Sequence, residues 1–465
     1  MLRYPKLNNN FLNYFFIVIG ILTIFYQINF EDLWLDEMQS FWIADPELSL
    51  SETLQRHKNY DYHNPVIFNL TLKYFLDIFS YNPEIARYLP LIYGSLFLII
   101  IGPITRQVKK DNTFLFTTFL ACLSIYIIKY SQEVRPYSLL LITSALNIYF
   151  FLKVIDKKKE NKKNIFFFIF FSIINYSVNP FSLIILFSQI FFITYKYFFF
   201  NDRYIQLYIF ALLISISYLL LNYSYISYQI SFDNYMLSSD IINVIDGLYF
   251  PRFFGSKIMG YFYLLLLLFL IIKCRKKIFL ENNNYLFFLT IIFFSYLIPL
   301  IYGILSTPVL HDRYIIFILI PILILISCLL NELKNQRLKQ ILFSLLILLT
   351  IGNHLIEIFD RPKTKPEFNY VLNQIKKKDY NNIFLYNPRG TSIFIMNYLK
   401  NIQPNIEKEL NFYDFKNLKE NINSFWVLCY MPEVYFKCKV KTKDNFKIIE
   451  KKKTRLVHAY LVKKY

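Results

Sequence analysis

The chain has 465 residues, 55% hydrophobic and 20% aromatic with only 9 glycines, and this composition excludes a solvated globule. Several windows run about 20 residues without a charge, the length a membrane helix requires. The net charge of +19 would suit nucleic acid, but the Lys and Arg residues fall in short connectors between apolar segments and in the tail, so membrane topology accounts for them and no nucleic-acid partner is expected.

In chain order, Met1 to Asn10 carries Arg3 and Lys6 and precedes an apolar span from about Phe11 to Phe30. No small-residue cleavage site follows, so the segment reads as an uncleaved helix with its N-terminus inside. The next stretch, Glu31 to Trp42, reads E-D-L-W-L-D-E-M-Q-S-F-W and places four carboxylates and two tryptophans at a membrane surface outside the cytoplasm. An acidic connector that only marks a helix end is the plain alternative. The segment from Glu31 to about Arg87 is then a long external loop, within which Leu48 to His57 has the spacing of a short interfacial helix. Long ordered loops of this kind are usually functional.

Apolar spans recur near 88 to 105, 112 to 130, 137 to 153, 164 to 179, 181 to 200, 204 to 225, 258 to 272, 285 to 305, 314 to 330 and 340 to 357, which with the first makes about eleven. The aromatic run from Asn164 to Phe200 is too long for one crossing and divides at Asn179-Pro180. Alternation from an inside N-terminus puts the Lys-rich connectors inside and leaves few basic residues outside, among them Lys129, Arg135, Arg252, Lys257 and Arg313. After about Ile358 prolines, asparagines and charges return, and short runs such as Ile383 to Tyr386 and Phe425 to Cys429 look like buried strands. Residues 358–465 therefore read as a small α/β domain, separate from a membrane domain over 1–357, and the odd span count places it outside. In such a domain Cys429 and Cys438 would be free to pair.

No Asp or Glu lies in the middle of an expected span, which counts against an ion-coupled transporter and moves any chemistry to the outer surface. That surface carries three further sites. Asp61-Tyr62-His63-Asn64-Pro65 precedes an apolar helix, and His63 there would bind a phosphate, a metal or a sugar, or else serve only as a polar interfacial residue. Lys129 to Tyr137, K-Y-S-Q-E-V-R-P-Y, holds Glu133 and Arg135, which a plain ion pair would also explain. His311-Asp312-Arg313-Tyr314 opens the tenth span, where Arg313 would otherwise anchor the helix at the headgroups. Taken together, a carboxylate suited to accept a proton and guanidinium groups suited to phosphate oxygens point to group transfer from a lipid phosphate.

The order L-W-L-D-E, H-N-P, E-I-A-R-Y-L-P from Glu84 to Pro90, Y-S-Q-E-V-R-P-Y, and R-Y with a proline seven residues on resembles the GT-C membrane glycosyltransferases. It is most similar to the branch with the protein O-mannosyltransferases and the lipid A aminoarabinose transferase, glycosyltransferase family 39 in type. The resemblance covers roughly the first 330 residues. It implies a multi-pass protein of the cytoplasmic membrane with its active site on the extracytoplasmic side. It implies an inverting hexosyl or pentosyl transfer from a polyprenyl-phosphate sugar to a lipid, glycan or protein acceptor of the envelope. Carried over residue by residue, it makes Asp36 the catalytic carboxylate, Glu37 its pair and Glu133 a second acid, with Arg135, Arg313, His63 and Arg87 on the donor phosphate. Asn64 stands where H-P-P is commoner, which leaves the role of His63 open. Metal dependence is open as well, since Asp36 and Glu133 would be able to share a divalent ion. A lipid or polysaccharide transporter, or a non-catalytic subunit of an envelope glycan complex, is the alternative.

Overall fold

A computed structural model describes residues 9–61, 64–156, 162–200, 250–281, 283–305, 309–375, 383–386, 392–403, 411–412, 423–431 and 446–464, with Leu213 and Ser217. The expected span 204–225 and His63 lie outside the described residues.

The first apolar helix, α1, runs Asn9–Phe25 and ends sooner than the hydropathy suggests, because Gln27 takes a left-handed conformation with φ 54° and turns the chain. Four short helices follow it: α2 (Leu35–Ile43), α3 (Leu50–Tyr60), α4 (Ile67–Phe79) and α5 (Pro83–Ala86). Helix α3 starts two residues later than the apolar spacing implies, since Ser49 caps it and Glu52 bonds back to the Ser49 amide at 2.8 Å, a capping box. The first long helix, α6, is Tyr88–Val108. The segment expected to cross at 112 to 130 is broken into α7 (Thr113–Cys122) and α8 (Ile125–Ser131), bent by 56°. Helix α1 lies close against α6 and α7 at Gly20, where a Cβ would come within 2.7 Å of Cys122 Sγ and Leu98 Cδ1.

The remaining bundle consists of α9 (Tyr137–Ile155), α10 (Lys162–Val178), α11 (Leu183–Phe200), α12 (Lys257–Lys273), α13 (Asn283–Leu305), α14 (Leu319–Asn331) and α15 (Gln336–Phe359). A short 3₁₀ turn at Pro180–Ser182, with the Asn179 side chain accepting from the Phe181 amide, divides α10 from α11 where the sequence indicated. A second 3₁₀ segment, Asp312–Ile318, leads into α14. Helix α14 is apolar on every face and every residue from Leu319 to Leu330 is buried, so it forms the middle of the bundle. Helix α15 is less apolar and leaves Leu348, Ile356 and Phe359 exposed, as a lipid-facing helix must. Among the described residues six helices are long and apolar enough to cross a membrane, or seven if the bent pair is one span, and α1 is a shorter apolar helix. The expected count of about eleven is not reached within the described residues.

Beyond α15 the chain forms α16 (Phe368–Asn373), β1 (Ile383–Tyr386), α17 (Ser392–Ile402), β2 (Asn411–Phe412), β3 (Ser424–Tyr430), β4 (Phe446–Lys453) and β5 (Val457–Lys464). The strands make one mixed sheet in the order β2-β1-β3-β5-β4, with β1 parallel to β2 and β3, and β5 antiparallel to β3 and β4. Strand β3 is buried from Phe425 to Tyr430, the continuous burial of a central strand covered on both faces. Cys429 within it is disulfide-bonded, whereas Cys122, Cys274 and Cys328 are free thiols; Cys438 lies outside the described residues. The sheet does not stand apart from the loop helices: Phe394 of α17 packs 5.1 Å from Trp42 of α2 and 5.6 Å from Tyr60 of α3.

Candidate active site

The acidic stretch resolves into two groups. Glu31, Asp32 and Glu37 are consumed by one short segment, residues 361–369, which descends from α15 onto the loop. Pro362 and Pro366 keep this R-P-K-T-K-P-E run extended, so successive amides are free to donate. Glu31 accepts from the Thr364 hydroxyl at 3.0 Å and the Lys365 amide at 3.1 Å, with the Arg361 guanidinium 3.3 Å away. Burial alone would raise the Glu31 carboxyl, but the Thr364 amide and the two cations outweigh it and the net shift is downward. Asp32 accepts from the Asn369 amide at 2.8 Å and from its side chain at 2.7 Å.

Glu37 is the best buried of the four, with 0% exposure. Its carboxylate accepts from the Trp34 amide at 2.8 Å, from the Val134 amide at 2.9 Å and from Lys365 Nζ at 2.6 Å. Burial pushes its pKa up, Lys365 and Arg87 pull it down, and the outcome is a lowered value. Glu37 therefore joins the first loop, the Q-E-V-R turn and the C-terminal segment. Its oxygens are fully engaged, and the catalytic role expected for it has no support in this geometry.

Asp36 points elsewhere. Side chains of adjacent helical residues diverge by about 100°, and the Asp36 carboxylate stays 33% exposed with Arg313 NH1 at 3.6 Å. Arg135 lies on the other side of it, its NH1 donating to the Asp36 carbonyl at 3.1 Å and to Ser40 Oγ at 2.9 Å. The same guanidinium stands 3.5 Å from Asp61 Oδ2. Asp61 in turn accepts from Asn64 at 2.7 Å and Asn69 at 3.1 Å, so the motif before α4 supports Arg135 from below. Arg313 is 26% exposed on its side chain and lies over the Tyr137 and Tyr314 rings at 5.6 and 5.5 Å. Both arginines bury an Nε that has no hydrogen-bond partner.

Glu133 is buried beside this group with no hydrogen bond or ion pair to its carboxylate. Burial and the neighbouring Glu37 raise its pKa, against the pull of Lys365, Lys129 and Arg313. The plain ion pair with Arg135 is absent, since Arg135 meets Glu133 only through the backbone, its amide donating to the Glu133 carbonyl at 2.7 Å. Arg87, expected on the donor phosphate, is instead buried with its terminal nitrogens on the Ile28 and Asp32 carbonyls at 2.6 and 3.1 Å. This guanidinium holds the loop against α6, and its Nε, like those of Arg135 and Arg313, is buried without a hydrogen-bond partner.

Among the described residues no group of three or more His, Cys, Asp or Glu gathers to hold a metal, and the two carboxylates considered for one, Asp36 and Glu133, face cations at Arg313 and Lys365. This donor set does not suit a divalent ion. The residues that sequence reasoning left without a role are Ser40, Asp61, Gln132 and, above all, Arg361 and Lys365. Gln132 donates to the Ile24 and Tyr26 carbonyls at 2.8 and 2.9 Å and accepts from Arg361 at 2.6 Å. Its place in Y-S-Q-E-V-R-P-Y was the one available signal. Nothing in the local sequence marks Lys365.

No protein-family model matches the chain, and no curated sequence matches it either. Solved structures do. The crystal structure of ArnT from Cupriavidus metallidurans bound to undecaprenyl phosphate matches with a TM-score of 0.57 at 11% identity, covering 96% of this chain and 97% of that one. Its apo state matches with 0.58 at 10% identity and the same coverage. The Archaeoglobus fulgidus oligosaccharyltransferase tethered to an acceptor peptide matches with 0.51 at 10% identity over 91% of this chain and 69% of that one. These likenesses establish the fold: the chain is a multi-pass helical membrane protein with the GT-C fold.

Proposed function

We propose that this protein is an inverting glycosyltransferase that moves a sugar from a polyprenyl-phosphate donor to an envelope acceptor at the outer face of the cytoplasmic membrane. One observation carries the reading: of four clustered carboxylates only Asp36 is left free of segment 361–369, and it lies 3.6 Å from a guanidinium whose Nε is still unpartnered. The ArnT structure that shares the fold holds undecaprenyl phosphate, which is the donor class these arginines suit.

In the proposed reaction an acceptor hydroxyl attacks the anomeric carbon and gives its proton to Asp36. The bond from the anomeric carbon to the phosphate oxygen breaks, and its electron pair leaves with the polyprenyl phosphate. A single displacement of this kind inverts the anomeric centre. The leaving phosphate needs cationic donors and no general acid, the task assigned to Arg313 and Arg135. Glu133 is buried nearby, with burial and the neighbouring Glu37 raising its pKa, and no step is assigned to it.

The outer location of the site rests on the basic residues at the other end of the bundle and on the disulfide at Cys429, which suits an oxidising compartment. Residues 358–465 form the extracytoplasmic domain in this reading. The test has two arms. Purified protein in nanodiscs should bind undecaprenyl phosphate, and mass spectrometry of a deletion strain should show a loss of sugar from an envelope glycolipid, glycan or protein. A reporter fused after Tyr465 should be active outside the cytoplasm. Unchanged envelope glycans together with no binding of undecaprenyl phosphate would sink the proposal.

A further inference from the structure

We propose that Lys365 is a positioning residue of this site, delivered from the C-terminal region, which through Glu37 fixes the two loops that carry Asp36 and Arg135. The proposal rests on the transferase reading for its consequence but not for its geometry.

The Lys365 ammonium bonds Glu37 at 2.6 Å with both side chains buried, 12% and 0% exposed. The other oxygens' partners are what make this pair consequential. Glu37 accepts the Trp34 amide, two residues before Asp36 in the first loop, and the Val134 amide, the residue before Arg135 in the second. One carboxylate thus sets the distance between a base and a phosphate ligand that are about a hundred residues apart in sequence. It stays ionised in a buried place because Lys365 balances it, with Arg87 also near. Glu133 faces the same ammonium. Lys365 itself is held by its neighbours: its amide and that of Thr364 donate to Glu31, and Arg361 pairs with Glu31 and with Gln132 of the second loop. Segment 361–369 is therefore a strap across both loops, and Lys365 is its only side chain that reaches the carboxylate shared between them.

The closing experiment compares wild type, Lys365→Met, Lys365→Arg and Lys363→Met in nanodiscs, by amide hydrogen exchange at Trp34 and Val134 and by affinity for undecaprenyl phosphate. Removing one partner of a buried pair should raise exchange at both amides on the order of a hundredfold. Affinity should fall about tenfold. Lys365→Arg should recover part of both, and Lys363→Met, whose lysine pairs with Glu367 and lies 5.5 Å over the Phe30 ring but does not reach Glu37, should change neither. Exchange that rises in 361–369 alone, with Trp34 and Val134 unchanged, would reduce Lys365 to a tail anchor and overturn the proposal. Should Lys365→Met fail to fold, the cycle Glu37→Gln against Lys365→Met/Glu37→Gln decides: acting through Glu37, the second change should add little, and a further full-sized loss would overturn the proposal. If exchange responds as expected while even wild type ignores undecaprenyl phosphate, the strap stands and the transferase reading fails.

Discussion

The two ends of the bundle both gather charge, and they do so differently. At the end where α6 gives way to α7, Lys109 pairs with Glu332 at 2.6 Å and with Asp111 at 3.3 Å. Asp111 also accepts from Asn331 at 2.6 Å and from the Thr113 amide at 2.9 Å. Every oxygen there has a partner, and the network closes on itself. At the opposite end, among the described residues, Arg135 and Arg313 each leave an Nε unpaired, the Glu133 carboxylate makes no hydrogen bond, and Asp36 has one loose contact. Buried polar groups in folded proteins are nearly always satisfied. A closed network is a structural clamp, whereas in the transferase reading the open one is where a ligand would supply missing partners; single unsatisfied buried atoms also occur elsewhere, as at Ser138 Oγ and Asn175 Nδ2.

Asp36→Asn should produce the largest effect that tests this difference. An amide keeps the shape but accepts no proton, and loss of general-base help costs about 100-fold to 10,000-fold in rate. The fold should be intact, because Asp36 is a third exposed and makes no contact shorter than 3.6 Å through its carboxylate. Glu37→Gln should behave in the opposite sense, lowering stability because three donors lose a charged acceptor. Transfer rates and melting temperatures measured on both would separate the roles, and a wild-type rate in Asp36→Asn would end the assignment of this site.

Arg313→Ala comes next. It removes the guanidinium paired with the Asp36 carboxylate and should weaken donor binding by about 2 kcal/mol if the phosphate is desolvated there. Lysine should rescue only part, since it lacks the planar fork. Arg135→Ala should cost stability in addition, because Ser40, Asp61 and the Asp36 carbonyl all depend on it. Titration with undecaprenyl phosphate beside a thermal melt distinguishes the two arginines; equal melts would erase the distinction drawn between them.

Much of this was readable in advance. Helices such as Tyr137–Ile155 announce themselves through hydropathy, and the break at Asn179-Pro180 through proline chemistry. That Asp36 and Glu37 cannot share one role follows from helical geometry alone. Which of them faces the arginines does not, since it depends on where Val134 and Lys365 arrive from elsewhere in the chain. Arg87 shows the same limit: its place beside a motif does not reveal that two of its nitrogens lie on the carbonyls of Ile28 and Asp32. The bend between α7 and α8 was also hidden, because apolar composition is the same on both sides of it.

Acid should affect the closed strap before the bundle. Glu31 and Glu37 titrate below the ordinary carboxylate value of 4.5, so the unfolded chain binds their protons first. Their contribution is present above that pH and is lost as pH falls through the lowered folded values. Glu133 has the opposite sign: its pKa is raised, so it costs stability as pH rises above 4.5 and ceases to add cost above its folded value. Exchange at Trp34 and Val134 should therefore rise on acidification below about 4.5 and stay flat in Glu37→Gln. A strap that opens equally in both proteins would place its pH response outside Glu37.

The smallest effect is expected at the closed end, and it is the control on which the comparison depends. Asp111→Asn keeps the shape but only one acceptor oxygen, enough for the Thr113 amide, while Asn331 keeps Thr113 Oγ1 at 3.1 Å and Lys109 keeps Glu332 at 2.6 Å. Burial raises the Asp111 carboxyl and the Thr113 hydroxyl, the Thr113 amide and Lys109 lower it, with a net downward shift, so removing the charge should cost some stability. The pair with Lys109 is partly exposed, with side chains 19% and 35% accessible, so the loss should be no more than about 1 kcal/mol. Transfer and affinity for undecaprenyl phosphate should not change, because among the described residues no hydrogen bond or ion pair links this network to Asp36, Arg135 or Arg313. A folded Asp111→Asn protein that no longer transferred sugar would mean that the closed network is coupled to the reaction, and the contrast between the two ends would no longer locate the site.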